Sequence, residues 1–153
     1  MKRLIFFLLL LCFAGYGSEA YTNRGIAYAQ KGASEKTIAD YTEAIRLNPN
    51  YAAAYNNRGN TYDEKGEHEK AIADYSEVIR LKPNSAWAYT SRGLAYALKD
   101  EYEKAIPDFT AAIRLKPNDP LAYSARGDCY QKIGEKTKAD ADFAKAKGLH
   151  DQQ

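Results

Sequence analysis

The chain predicts an all-α solenoid built from four helix-turn-helix units, and three observations carry that prediction. Arg-Gly pairs recur every 34 residues, at Arg24-Gly25, Arg58-Gly59, Arg92-Gly93 and Arg126-Gly127. Aromatic residues keep the same interval in three columns: Tyr21, Tyr55, Tyr89 and Tyr123; Tyr28, Tyr62, Tyr96 and Tyr130; and Tyr41, Tyr75, Phe109 and Phe143. Pro49, Pro83 and Pro117 close the first three periods. A fixed period of this length is the signature of stacked repeats. Four units fit the chain, at 18–51, 52–85, 86–119 and 120–153.

Each unit reads as two helices. In the first helix of the second unit, Tyr55, Gly59 and Tyr62 stand at i, i+4 and i+7 and share one face. The glycine leaves room there for a neighbouring helix. Ala71, Tyr75 and Val78 repeat that spacing further on; Gly66 marks the turn between, and Lys82-Pro83-Asn84 ends the second helix. Neither helix buries its apolar face alone, so stacking between units must supply the core. Ten of the thirteen tyrosines fall in the aromatic columns, which reads them as core and not as a platform for nucleic-acid bases.

These columns resemble the tetratricopeptide repeat (TPR), whose pattern runs aromatic-x-x-Leu-Gly-x-x-Tyr, then Ala-x-x-x-aromatic, then Pro. The second unit matches at Tyr55, Gly59, Tyr62, Ala71, Tyr75 and Pro83, and the resemblance extends over essentially everything after residue 20. It implies a right-handed TPR solenoid whose first helices line a concave groove for a peptide or protein segment. There are departures from the pattern. Arg24, Arg58, Arg92 and Arg126 occupy the Leu column, Thr37 replaces an alanine and Asp151 the last proline.

Asp40, Asp74, Asp108 and Asp142 travel with the arginines in every unit. The expectation is a structural pair across the helix packing, with each arginine stem covering apolar surface; a solvated pair of little consequence is the alternative. The Ile38, Ile72, Ile106 column ends in Asp140, and the Ile45, Ile79, Ile113 column ends in Lys147. The fourth unit therefore reads as a polar cap that completes the array. Pro107, inside a helix, should cost a hydrogen bond and bend it.

Residues 1–20 read as a signal peptide and 21–153 as the TPR domain. Lys2 and Arg3 precede an apolar run of 11 residues, Leu4 to Ala14, followed by Gly15, Gly17, Ser18 and Ala20. As a helix that run spans roughly 16 Å, about half a bilayer core, so no stable membrane span is expected. Ser18-Glu19-Ala20 is the preferred small-x-small cleavage motif and Gly15-Tyr16-Gly17 the second. Lipoprotein anchoring through Cys12 is disfavoured by bulky Leu11 before it. The expected location is exported, the bacterial periplasm or outside the cell. Beyond residue 20 the chain carries 20 basic and 19 acidic residues, which gives no electrostatic reason to expect nucleic acid as a partner.

Catalytic and metal chemistry find no constellation. His68 and His150 lack Cys, His or paired carboxylates at ligand spacing, and no glycine-rich phosphate loop occurs. Cys129 shares a column with Ala27, Thr61 and Ala95, which marks it as a small packing residue. The chain is thus expected to be non-enzymatic and free of cofactors. The resemblance places the peptide groove on Asn56, Asn60 and Asp63, then Trp87, Thr90 and Leu94, then Ser124, Asp128 and Gln131. Thr22, Ile26, Ala29, Ala97 and Leu121 flank them. Trp87 serves there as a partner contact or as the filler of a local gap. Family members that grip a free carboxylate use a clamp of cations and asparagines. In one register the matching positions are Thr22, Ile26, Asn57, Trp87 and Ser91; in the other they are Asn56, Asn60, Ser91, Leu121 and Ala125. Neither set holds a cation, so that mode does not carry over. The expected function is a protein–protein interaction module that binds a peptide or protein segment in its groove; a self-associating structural repeat protein, a homo-oligomer, is the competing expectation.

Overall fold

A computed structural model describes residues 17–151 of the chain; the apolar run and Cys12 lie outside them. All regular structure among the described residues is α-helical: α1 (residues 17–29), α2 (Ser34–Leu47), α3 (Ala52–Glu64), α4 (His68–Leu81), α5 (Ala86–Leu98), α6 (Tyr102–Leu115), α7 (Pro120–Lys132) and α8 (Lys136–His150). Two compact units result, the first running through Glu67 and the second starting at His68.

Local chemistry sets the helix borders. The Ser85 hydroxyl accepts from Ala88 N at 3.3 Å to cap α5, and the Asp119 carboxylate accepts from Leu121 N at 3.2 Å ahead of Pro120 in α7. Turns within the pairs need a left-handed residue, and Gly32, Gly66 and Gly134 supply it at φ 69°, 75° and 82°. Asp100 fills the same place at φ 59°. Its carboxylate accepts the Tyr102 hydroxyl, the kind of local bond that lets aspartate enter this region. Helix α6 runs unbroken through Pro107, which is exposed to solvent.

Inside each unit the helices meet where the columns predict. A methyl group added at Gly25 would lie 2.7 Å from Tyr41 Cε1; at Gly93 it would lie 2.9 Å from Phe109 Cε1, and at Gly127 2.7 Å from Phe143 Cε1. Such rings can rest on the first helix only because glycine presents no side chain. Phe109 is fully buried in a cluster with Ala105, Ala125 and Cys129, and Leu94, Tyr96 and Ile106 pack around it. The first-helix tyrosines differ from expectation. Tyr21, Tyr55, Tyr89 and Tyr123 are half-buried, whereas Tyr41 and Tyr75 are buried. Arginine guanidinium groups lie 5.0 Å from the Tyr21 ring centre, 5.8 Å from Tyr55, 6.0 Å from Tyr89 and 5.9 Å from Tyr123. A ring that meets a cation on its face need not be fully buried, which helical spacing alone does not foresee.

Arg24, Arg92 and Arg126 pair with aspartate as expected, and the arginines reach further. Arg92 donates to both carboxylate oxygens of Asp108, at 2.8 and 2.7 Å, and Arg126 to both oxygens of Asp142 at 2.8 Å each. Arg24 forks onto Asp40 at 2.7 Å in both contacts. A guanidinium Nη1 also points to a hydroxyl on the helix before: Arg58 Nη1 to Thr42 Oγ1, Arg92 Nη1 to Ser76 Oγ and Arg126 Nη1 to Thr110 Oγ1, each at 3.0 Å. Those hydroxyls donate their own protons to Ile38, Ile72 and Ile106 carbonyls one turn back. The fourth member of this hydroxyl column is Ala144, in the last helix. Asp140 and Lys147 are exposed, while Ile72, Ile79, Ile106 and Ile113 are half-buried at the equivalent positions.

Two stability measurements check this packing. Gly93→Ala places a methyl against a rigid buried ring and should lower stability by about 1–2 kcal/mol in denaturant melts, outweighing its gain in helix propensity. A melt at or above that of the parent chain would refute the contact. Arg92→Met strands the buried Asp108 carboxylate and should cost about 2–4 kcal/mol. An unchanged melt would show the pair to be mere surface charge.

Candidate interaction surface

Two adjoining hollows form on the second unit, between α5 and α7. One, of about 200 Å³, is lined by Trp87, Thr90, Leu94, Lys116, Asp119 and Leu121, among others. The other, of about 230 Å³, is lined by Leu94, Leu98, Tyr102, Phe109, Asp128 and Lys132, among others. Leu94 belongs to both, so the two make one trough. Its apolar side chains lie unusually open: Trp87 is 43% exposed, Leu121 53% and Leu98 64%. Large apolar groups gathered beside a hollow mark an interaction surface better than scattered ones do.

Trp87 packs on the scaffold and also lines the hollow. Its ring stands edge-on to buried Tyr75 at 5.6 Å and 81°, which locks the indole on the scaffold. The rest of the ring faces the hollow. Charges at the rim balance: Lys116 lies 3.6 Å from Asp119, and Asp128 and Lys132 line the second hollow together. Beneath it, burial and the Asp128 charge push the Cys129 thiol up to about 11, so it stays protonated at neutral pH.

The first unit has its own hollow of about 200 Å³, lined by Ile26, Tyr41, Asn57, Asn60 and Glu64, among others. It is polar where the trough is apolar. Asn60 lines it, but Asn56 and Asp63 do not; the Asn56 amide donates to Asn57 Oδ1 at 3.2 Å. In the second unit the structure gathers Trp87, Thr90 and Leu94 around one hollow and Asp128 into the other. Thr90 is buried, and its hydroxyl donates to the Ala86 carbonyl at 3.1 Å. Ser124 and Gln131 line neither of these two hollows. Leu98, Tyr102, Lys116 and Lys132 line the trough outside the groove that the sequence outlines. Of these only Leu98 carried a signal there, as an apolar residue at a helix end directly after flanking Ala97.

Family models of the tetratricopeptide repeat match residues 18–51 and 86–119, 40–73 and 121–150, and a TPR repeat model matches 59–100. The chain belongs to the tetratricopeptide repeat family. Its fold is the TPR solenoid, as solved structures bear out. A crystal structure of MamA shares 27% identity and a TM-score of 0.85, covering 88% of this chain and 79% of that one. The Arabidopsis OM64 TPR domain shares 28% identity and a TM-score of 0.73, covering 77% and 98%. The first TPR of Spaghetti (RPAP3), bound to HSP90 peptide SRMEEVD, has a TM-score of 0.75 over 78% and 94% at 22% identity, a likeness of fold alone. No curated protein matches the sequence.

Among the described residues of this TPR chain, no group of three or more His, Cys, Asp or Glu is placed to hold a metal ion. No described helix is long and apolar enough to cross a membrane. The state of Cys129 is open to a direct check. In a Cys12→Ser chain, where it is the only thiol, a thiol reagent at pH 8 should leave the native protein unlabelled and label it fully in denaturant. Rapid labelling of the native chain would show that the thiol is neither buried nor protonated.

Proposed function

We propose that this TPR chain is a non-enzymatic interaction module that holds a largely uncharged, apolar segment of a partner polypeptide in the trough between α5 and α7. The observation that carries the reading is the joining of two hollows at Leu94 with Trp87, Leu98 and Leu121 open beside them. Aromatic and aliphatic anchors in a concave, charge-balanced site are what an apolar segment needs. The RPAP3 domain was solved with a peptide that carries two glutamates and an aspartate. Here the lysines at the trough lie beside aspartates, which disfavours a segment of that kind. Residues 1–20 support an exported setting, periplasmic or secreted, because a basic start, an apolar run and small residues follow in signal-peptide order.

Trp87 is the sole tryptophan, so its emission reports directly on occupancy of the trough. Peptides selected from a random library against the whole chain should shift that emission to the blue as they bind. Leu98→Glu should weaken their binding at least tenfold with helicity unchanged, whereas Ile133→Glu, an exposed apolar site outside both hollows, should have no effect. Equal loss in both variants, or none in Leu98→Glu, would refute the site. Should the blue shift appear on concentrating the chain alone, together with a doubled mass in sedimentation, the occupant is a second copy and the self-association reading replaces this one.

A further inference from the structure

The register of the repeat places the start of the first repeat. Helices α3, α5 and α7 begin at Ala52, Ala86 and Pro120, each 34 residues after the one before. One period earlier stands Ser18. Gly17, already helical in α1, stands at the register that Tyr51, Ser85 and Asp119 hold as N-caps. The matched family model begins its first repeat at residue 18 as well.

The first turn of α1 is packed. Ser18 is 1% exposed, and its carbonyl accepts the hydroxyl of buried Thr22 at 2.8 Å. A methyl group at Gly17 would lie 2.9 Å from Leu47 Cδ1, which places this turn on the end of α2. At the Ser18 register of the later first helices Ala52 is buried and Ala86 and Pro120 are half-buried, whereas Ala54, Ala88 and Ala122 are buried where Ala20 is exposed. Cutting after Ala20 would delete the opening turn and leave nine of the 13 helical residues described. A helix that short depends wholly on its packed face, and the cut removes part of it.

The geometry points to the Gly17–Ser18 bond as the site of proteolytic maturation, with Gly15 and Gly17 as the small residues that the processing enzyme reads. This rests on the exported setting proposed above. Water adds to the Gly17 carbonyl carbon and the C–N bond breaks; Gly17 leaves as a carboxylate and Ser18 takes the new α-ammonium. The cut removes one described helical residue, Gly17, and keeps buried Ser18 and the rest of the first turn with the mature chain. Both small-x-small motifs are acceptable to such an enzyme on residue size, but only a cut after Gly17 leaves Ser18 in the mature chain.

The test expresses the full chain from Met1 in a bacterium and determines the N terminus of the chain recovered outside the cytoplasm by intact mass and end sequencing. The expected start is Ser18. Gly17→Leu should block or slow processing several-fold, while Ala20→Leu, at an exposed position, should leave both rate and product unchanged. A mature chain starting at Tyr21, or processing that stops with Ala20→Leu, overturns the proposal and leaves export standing. A full-length chain retained in the cytoplasm overturns both.

Discussion

In the helix pairs α1–α2, α5–α6 and α7–α8, an aromatic ring of the second helix lies on a glycine of the first, closer than any side chain at that glycine would allow. The adjacent residues inherit their geometry from this contact. Arginine precedes the glycine and aspartate precedes the ring, 16 residues apart, so seating the ring also brings guanidinium and carboxylate into a two-bond fork. A leucine in the arginine column, as the family pattern has, would pack but could not complete that fork. The substitution therefore replaces apolar contact with a directional pair whose guanidinium also lies over the neighbouring tyrosine ring.

The same guanidinium then ties the pair to what precedes it. Arg92 reaches Ser76 on α4 while holding Asp108 on α6, and Arg126 reaches Thr110 on α6 while holding Asp142 on α8. One planar group thus spans three helices and fixes their relative register, which a flexible ammonium would do poorly. Threonine and serine suit the receiving position because their protons already go to the backbone one turn back, leaving lone pairs for the arginine. Ala144, in the last helix, keeps the size of that column without its hydroxyl.

With stacking assigned to the columns, the residues between them are free to differ from repeat to repeat. Trp87, Leu121 and Leu98 belong to that set, and they make the face of α5 and α7 apolar while the hollow of the first unit is polar. Tyr75 links the two roles, since it is buried as a column residue and steadies the indole that opens to solvent. Rigid anchors of this kind lose little conformational freedom on binding.

Fixed spacing along a helix and between repeats already prescribed the period, the helix pairs, the glycine turn at Gly66 and the pairing of Arg with Asp. The sequence by itself also singled out Trp87, as an indole that stacking did not require. Only the tertiary structure decided that the first-helix tyrosines are half-buried, that hydroxyls receive the third arginine nitrogen, and that Leu94 and Leu98 share a trough while Asn56 turns to its neighbour. It likewise placed Ser18 inside the packed first turn, where the residue pattern alone favoured a boundary after Ala20. The reason is the same in each case. Periodicity states which face a residue is on, but a hollow, a third bond or a buried turn depends on distances between helices, and those exist only once the glycine contacts have closed.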